Sequence, residues 1–248
     1  MRICVSGTSG QGKTTFINDF LEEWPMYTTP EKTYRDLLKR THSKKTTKDI
    51  QWKILNSMID ELQSHTSDEC IIYDRGPIDN IAYSIWSNSM ETGKIDDEFV
   101  NKCITLVKQS MSFIDIIFFT PITKFDSIEY DTERFEKRVK SGLTDETHRQ
   151  DIDNIIKALK RDWDINGESK FFDPHDKPAF IEIFGEPRER LEMAKLYIDA
   201  DGDMLGGENS MEDLLTPELL AEAEMYKQQL GVEDSQSEAY KNAKGLNK

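Results

Sequence analysis

Near the N-terminus, Gly7-Thr8-Ser9-Gly10-Gln11-Gly12-Lys13-Thr14 has the G-x-x-x-x-G-K-[ST] spacing of a phosphate-binding loop. Glycines at these positions let the backbone bend closely around a polyphosphate, so that successive N–H groups face the anion. Lys13 suits the β- and γ-phosphates, and the Thr14 hydroxyl suits Mg²⁺. Thr15 carries the loop into the next helix. A second group, Asp74-Arg75-Gly76-Pro77, closes the apolar run Cys70-Ile71-Ile72-Tyr73. An acid at the end of a buried strand beside such a loop has the form of a Walker B element, a metal partner directly or through water. Its other reading is an N-cap for the helix after Pro77. ATPases that activate water commonly place Glu next, whereas Arg75 stands here, a cation suited to a transferring phosphate or an anionic acceptor. That choice favours transfer to a substrate over hydrolysis. A structural salt bridge is the alternative for Arg75.

On the acceptor side, Glu31 is placed to accept the proton of an attacking hydroxyl, and Arg35, one helical turn on, to hold an anionic part of the acceptor. The competing role for Glu31 is electrostatic support of a helix start. Tyr83 and Trp86 follow the Asp74 turn closely enough to line an acceptor pocket, although packing is the commoner role of the tryptophans Trp52, Trp86 and Trp163. Transferring phosphate needs a closing cation, and Arg134, Arg138 and Arg149 are the candidates. Arg149 ranks first because Ile152, Ile155, Ile156 and Leu159 after it form an amphipathic face that can dock it. His148 is read as a surface residue, with no Cys or His partner at metal-site spacing.

These residues need a scaffold that brings strand ends together, and alternating strand and helix patterns predict βα units around a parallel sheet. Five strands are expected: Ile3 to Ser6, Met26 to Thr29, Cys70 to Tyr73, Ile114 to Phe119 and Phe180 to Phe184. Helices are predicted after the loop (Phe16, Ile17, Phe20, Leu21 and Trp24), near Glu31 to Arg40, Lys48 to Ser64, Ile78 to Trp86, Phe99 to Met111, Thr144 to Leu159 and Gly185 to Ile198. The expected division is one α/β domain over 1–198 and an acidic C-terminal extension over 199–248, the latter with one helical stretch around Pro217 to Leu230.

The 248 residues carry 47 acids against 32 Lys+Arg, a formal charge of −15, which disfavours broad attraction to nucleic acid. Cys4, Cys70 and Cys103 lack the spacing of a zinc site or disulfide framework, as expected of reduced thiols in the cytosol. No apolar run reaches membrane-spanning length and no leader precedes the first strand, so a soluble, cytoplasmic protein without membrane partners is expected.

Taken together, the loop, Pro30-Glu31 with Arg35, the run Asp74-Arg75-Gly76-Pro77-Ile78-Asp79-Asn80 with Ala82-Tyr83, Arg149 through Ile152-Asp153, and Gly185 with Arg190-Leu191 resemble the NadR-type P-loop kinases. This AAA-like family includes nicotinamide riboside kinase domains and many bacteriophage proteins, for which the compartment would be the host cytoplasm. The resemblance covers residues 1 to 198. It implies a lid over about 126–162 and a kinase using ATP and Mg²⁺ on a nucleoside, nucleotide or related hydroxyl compound. Phage kinases of hydroxymethyluracil in DNA are similar as well, but the acidity of this chain disfavours a DNA acceptor. A homodimer is compatible with the pattern. The competing function is a nucleotide-switched ATPase that has no small-molecule acceptor.

Overall fold

The computed structural model describes residues 1–31, 47–90, 95–123, 146–165 and 178–205. Strand β1 (Arg2–Ser6) is buried throughout and lies between β2 (Ile71–Asp74) and β3 (Ile116–Phe119), with β4 (Ala179–Glu182) outside β3. All pairings are parallel, and the register sets Val5 opposite Asp74 and Ser6 opposite Phe119. Such a sheet is covered on both faces, which is why its strands are nearly continuous apolar runs.

The period of two along each strand sorts the core into two layers. Ile3, Val5, Ile72, Ile116, Phe118 and Ile181 meet Phe16, Ile17 and Phe20 of α1 (Lys13–Glu23) and Ala194 of α6 (Pro187–Ala194). Cys4, Ile71, Tyr73, Ile117, Phe119 and Phe180 face the other layer. That layer comprises α2 (Lys48–Ser64), α3 (Pro77–Ser89), α4 (Asp97–Ser110) and α5 (Glu146–Ile165). Thr47 and Asp96 cap α2 and α4 through side-chain oxygens on the amides of Ile50 and Phe99.

The sheet has four strands, not the expected five. Met26 to Thr29 contributes a single parallel bridge, Thr28 opposite Ile71, in which Thr28 donates to the Cys70 carbonyl and accepts from the Ile72 amide, each at 2.9 Å. Pro25 and Pro30 bracket the segment and neither has an N–H, which leaves little chain to pair. Tyr27 is drawn inward, with its hydroxyl on the Gly202 carbonyl at 2.7 Å. Helix α6 stops at Ala194 rather than near Ile198, and the chain then turns so that the Asp199 carboxylate accepts the amides of Asp201 and Asp203.

The chain divides into two compact units, Met1–Asp203 and Met204–Lys248. In the second unit only Met204 and Leu205 are described, so the expected tail helix lies outside the described residues. The helix expected from Glu31 to Arg40 lies outside them beyond Glu31, and so does the 126–145 part of the lid expected over 126–162, with Arg134 and Arg138. Among the described residues no helix is long and apolar enough to cross a membrane.

Candidate functional site

The site forms where the parallel strands end, and its backbone is irregular there for steric reasons. Gly7 leaves β1 at φ +139, and a Cβ on it would sit 2.5 Å from Thr120 Oγ1 and 2.8 Å from the Thr120 carbonyl oxygen. Gly12, the N-cap of α1, is left-handed at φ 73, and a Cβ would come within 2.8 Å of the Arg190 guanidinium. Only glycine meets both demands. The first turn of α1 has no acidic residue and its N-cap makes no side-chain bond, so the positive helix end is directed at whatever the loop encloses.

Three loop carbonyls are engaged by cations. Lys13 Nζ donates to the Thr8 carbonyl at 2.5 Å, Arg149 Nε to Ser9 at 2.7 Å and an Arg190 terminal nitrogen to Gln11 at 2.6 Å. With its amide oriented so that the oxygen accepts from Arg149 at 2.7 Å, Gln11 also donates to the Pro121 carbonyl at 3.2 Å. Holding carbonyls this way fixes the peptide planes of the loop. Thr14 and Thr15 are exposed on the first turn of α1, whereas Thr8 is buried.

Asp74 ends β2, next to the exit of β1, and is partly exposed. The alternative of a helix cap does not apply to it: Gly76 is the N-cap of α3, and Asp79 at the third helical position accepts the Gly76 amide at 3.1 Å. Between them Arg75 has φ 82, the one positive value on a non-glycine among the described residues. Its amide donates to Val5 at 3.0 Å. Its guanidinium pairs with Asp79 at 2.8 Å, lies 5.3 Å from the Tyr83 ring centroid and donates to the Tyr83 hydroxyl at 3.4 Å. The salt bridge weighed as the alternative role of Arg75 therefore exists.

Arg149 is 1% exposed, which is exceptional for an arginine. Helix α5 places it there by burying Ile152, Ile156 and Leu159 in the core. Asp153 on α5 accepts the Ile122 amide at 2.8 Å, Lys157 donates to the Ile122 carbonyl at 2.8 Å, and the two side chains pair at 2.6 Å. Burial raises the Asp153 carboxyl, against the pull of Lys157 and the Ile122 amide. The exposed Glu146 joins Arg149 at 2.7 Å. His148 is not the surface residue expected: its ring lies 4.2 Å from Trp86 and 5.7 Å from Tyr83, centroid to centroid. The helical turn that sends Arg149 to the loop sends its neighbour against α3.

The structure thus gathers the loop, Lys13, Asp74, Arg75, Tyr83 and Arg149 around one edge of the sheet. Glu31 is exposed in the bend after Pro30, and Arg35 lies outside the described residues. Two residues not expected in the site also belong to it. Arg190, with its Nε on the Gly185 carbonyl at 2.8 Å, ties the exit of β4 to the loop, and Asp79 ties the loop to the Asp74 turn. The spacing of Gly76 and Asp79 is a capping-box signal, whereas Arg190 stands in the sequence only as part of the Gly185 and Arg190-Leu191 resemblance, with nothing local to give it a role at the loop. Burial raises the thiols of Cys4 and Cys103, the latter to about 11, so neither is a ready nucleophile. Among the described residues no cluster of three or more His, Cys, Asp or Glu could hold a metal.

The family model described as "AAA domain" matches residues 2–164. This chain belongs to the AAA domain family. Among solved structures, the AAA domain is similar to deoxyadenosine kinase from M. mycoides with dCMP and dCDP bound, at 16% identity and a TM-score of 0.55, covering 79% of this chain and 98% of that one. The form of that kinase with bound dATP aligns at 18% identity and a TM-score of 0.52, over 79% and 99%. NadR protein in complex with NR aligns at 12% identity and a TM-score of 0.53, over 79% of this chain and 50% of NadR. No curated protein matches. At these identities the likeness establishes the P-loop kinase-like α/β fold.

Proposed function

We propose that this AAA domain is an ATP- and Mg²⁺-dependent kinase that phosphorylates a hydroxyl of a nucleoside or nucleotide. The observation that carries the reading is the convergence of Lys13 and Arg149 on one glycine-rich loop, next to a strand that ends in Asp74 with Arg75 in the following turn. In this reading, the amides of Gly7 to Thr15 and the start of α1 bind the triphosphate. Lys13 meets the β- and γ-phosphates, and Arg149 the charge that develops on the transferring group.

The Thr14 hydroxyl and Asp74 carboxylate are hard oxygen donors, which suit Mg²⁺ because it keeps several waters and needs few protein ligands. When bound, the ion neutralises charge on the β- and γ-oxygens. Arg75, Tyr83 and Arg35 orient the acceptor. As its oxygen bonds to Pγ, the bond from Pγ to the bridging β–γ oxygen breaks, ADP leaves, and the hydroxyl proton passes to Glu31. The ligands bound in the similar structures, dCMP, dCDP and dATP in deoxyadenosine kinase and NR in NadR protein, support a small nucleoside-type acceptor. The net charge of −15 favours it over DNA.

The test is incubation of the full chain with γ-labelled ATP and Mg²⁺ against pooled nucleosides, nucleoside monophosphates and hydroxymethylated DNA. Label on a free nucleoside or nucleotide is expected. Release of inorganic phosphate with no labelled acceptor would move the protein to the nucleotide-switched ATPase reading, and label on DNA alone would overturn the choice of acceptor.

A further inference from the structure

We infer that Asp79 is a positioning residue that fixes the distance between the phosphate loop and Arg75. Its side chain is 1% exposed and receives three donors, one from the phosphate loop and two from adjacent residues of the Asp74 turn. Oδ1 accepts the Gly7 amide at 3.1 Å and the Arg75 guanidinium at 2.8 Å, while Oδ2 accepts the Gly76 amide at 3.1 Å. Helix capping accounts for the bond to Gly76 alone. The other two reach outside the helix, one to the first residue of the loop and one to the side chain after Asp74.

Both targets sit at special backbone positions. Gly7 stands at φ +139 close against Thr120, and Arg75 is left-handed at φ 82 without being glycine, a conformation that persists only where its surroundings hold it. A buried carboxylate with three donors is a strong, directional clamp. It aims the Arg75 guanidinium and anchors the corner where the loop begins. Asp79 thus acts through Arg75 and Gly7.

The inference rests on the kinase reading and specifies how its two halves are kept in register. Asp79→Asn keeps the shape, removes the charge and turns an N–H₂ group toward one of the donors. Turnover is expected to fall 30-fold or more, with the Kd for Mg-ATP, measured by calorimetry, changing less than 3-fold. In an Arg75→Met background, adding Asp79→Asn should lower turnover by less than a further 3-fold. Unchanged turnover, a loss confined to KM for ATP, or a full 30-fold loss in the Arg75→Met background would each overturn the assignment. If Asp79→Asn does not fold, Asp79→Ser, which keeps one acceptor at a helix N-terminus, takes its place in the same cycle. Wild-type protein that binds ATP and transfers nothing sinks the kinase reading alone. The clamp is then read from melting temperatures: non-additive shifts for the Asp79 and Arg75 variants support it, and additive shifts refute it.

Discussion

The two edges of the sheet treat charge in opposite ways. At the C-terminal edge Lys13, Arg75, Asp79, Arg149 and Arg190 are all buried and all bonded, mostly to loop carbonyls or to one another. At the N-terminal edge the Met1 amine meets the carbonyls of Ser67 and Glu69, and His65 sits between Glu61 and Glu69, mostly at the surface. Among the described residues at that edge Arg2 is buried, lying 5.7 Å from the Phe113 ring centroid. Burying an ion is costly and exposed pairs contribute little. Concentrating buried ions where the backbone is also strained adds little stability, and it is the pattern expected of groups held for a ligand, as the proposed kinase reading requires.

The largest expected effect is at the centre of the charged edge. Lys13→Ala should reduce phosphoryl transfer by about 10³-fold or more, with far-ultraviolet circular dichroism unchanged. Wild-type-like turnover would show that the buried ammonium is structural and would erase the contrast between the edges. Arg149→Lys comes next, since it keeps a charge but not the planar set of donors that reaches Ser9, Glu146 and Gln11 together. Turnover should drop roughly 10²-fold with a smaller change in ATP affinity. If ATP affinity instead falls as far as turnover, Arg149 shapes the loop and does not act on the transition state.

Gly7→Ala addresses the strain at that edge. Its Cβ would press on the Thr120 carbonyl, which belongs to the backbone leaving β3 and cannot swing aside. A loss of about 1–3 kcal/mol is expected, from urea unfolding, together with weakened ATP binding. An unchanged midpoint would mean that the loop relaxes freely.

What the sequence discloses follows the same division. The loop, the Asp74 turn and α2 are legible because local chemistry sets them: glycines where φ is positive, an acid at a strand end, an apolar stripe at helical spacing. The second strand is not, because pairing at a sheet edge depends on how many residues lie between Pro25 and Pro30, and the apolar character of Met26 and Tyr27 suggests more. The apolar face behind Arg149 singles it out in the sequence, but its burial against Ser9 comes from a contact between residues far apart in sequence. The same applies to His148, Arg190 and the bond from Asp79 to Gly7. Charged residues look like surface in a sequence unless their partners are known.

The smallest effect belongs to the N-terminal edge, and it tests the comparison from the other side. Hydrogen bonding to Glu69, and then to Glu61, raises the His65 pKa above its ordinary value despite some desolvation. Glu69 is held down to about 2 chiefly by the same His65 contact. A raised folded-state value means that protonated His65 stabilises the fold fully below its unfolded pKa of about 6.5, and that the contribution disappears as pH rises through the higher folded value. His65→Ala should therefore lower Tm by only about 1–2 °C near pH 5, with the gap between variant and wild type shrinking towards pH 8. Raising the ionic strength should shrink it as well, because this pair is open to solvent. A gap of many degrees that persists at pH 8 and in high salt would show that this edge, too, depends on a specific ionic contact, and the functional meaning attached to buried charge at the opposite edge would lose its contrast.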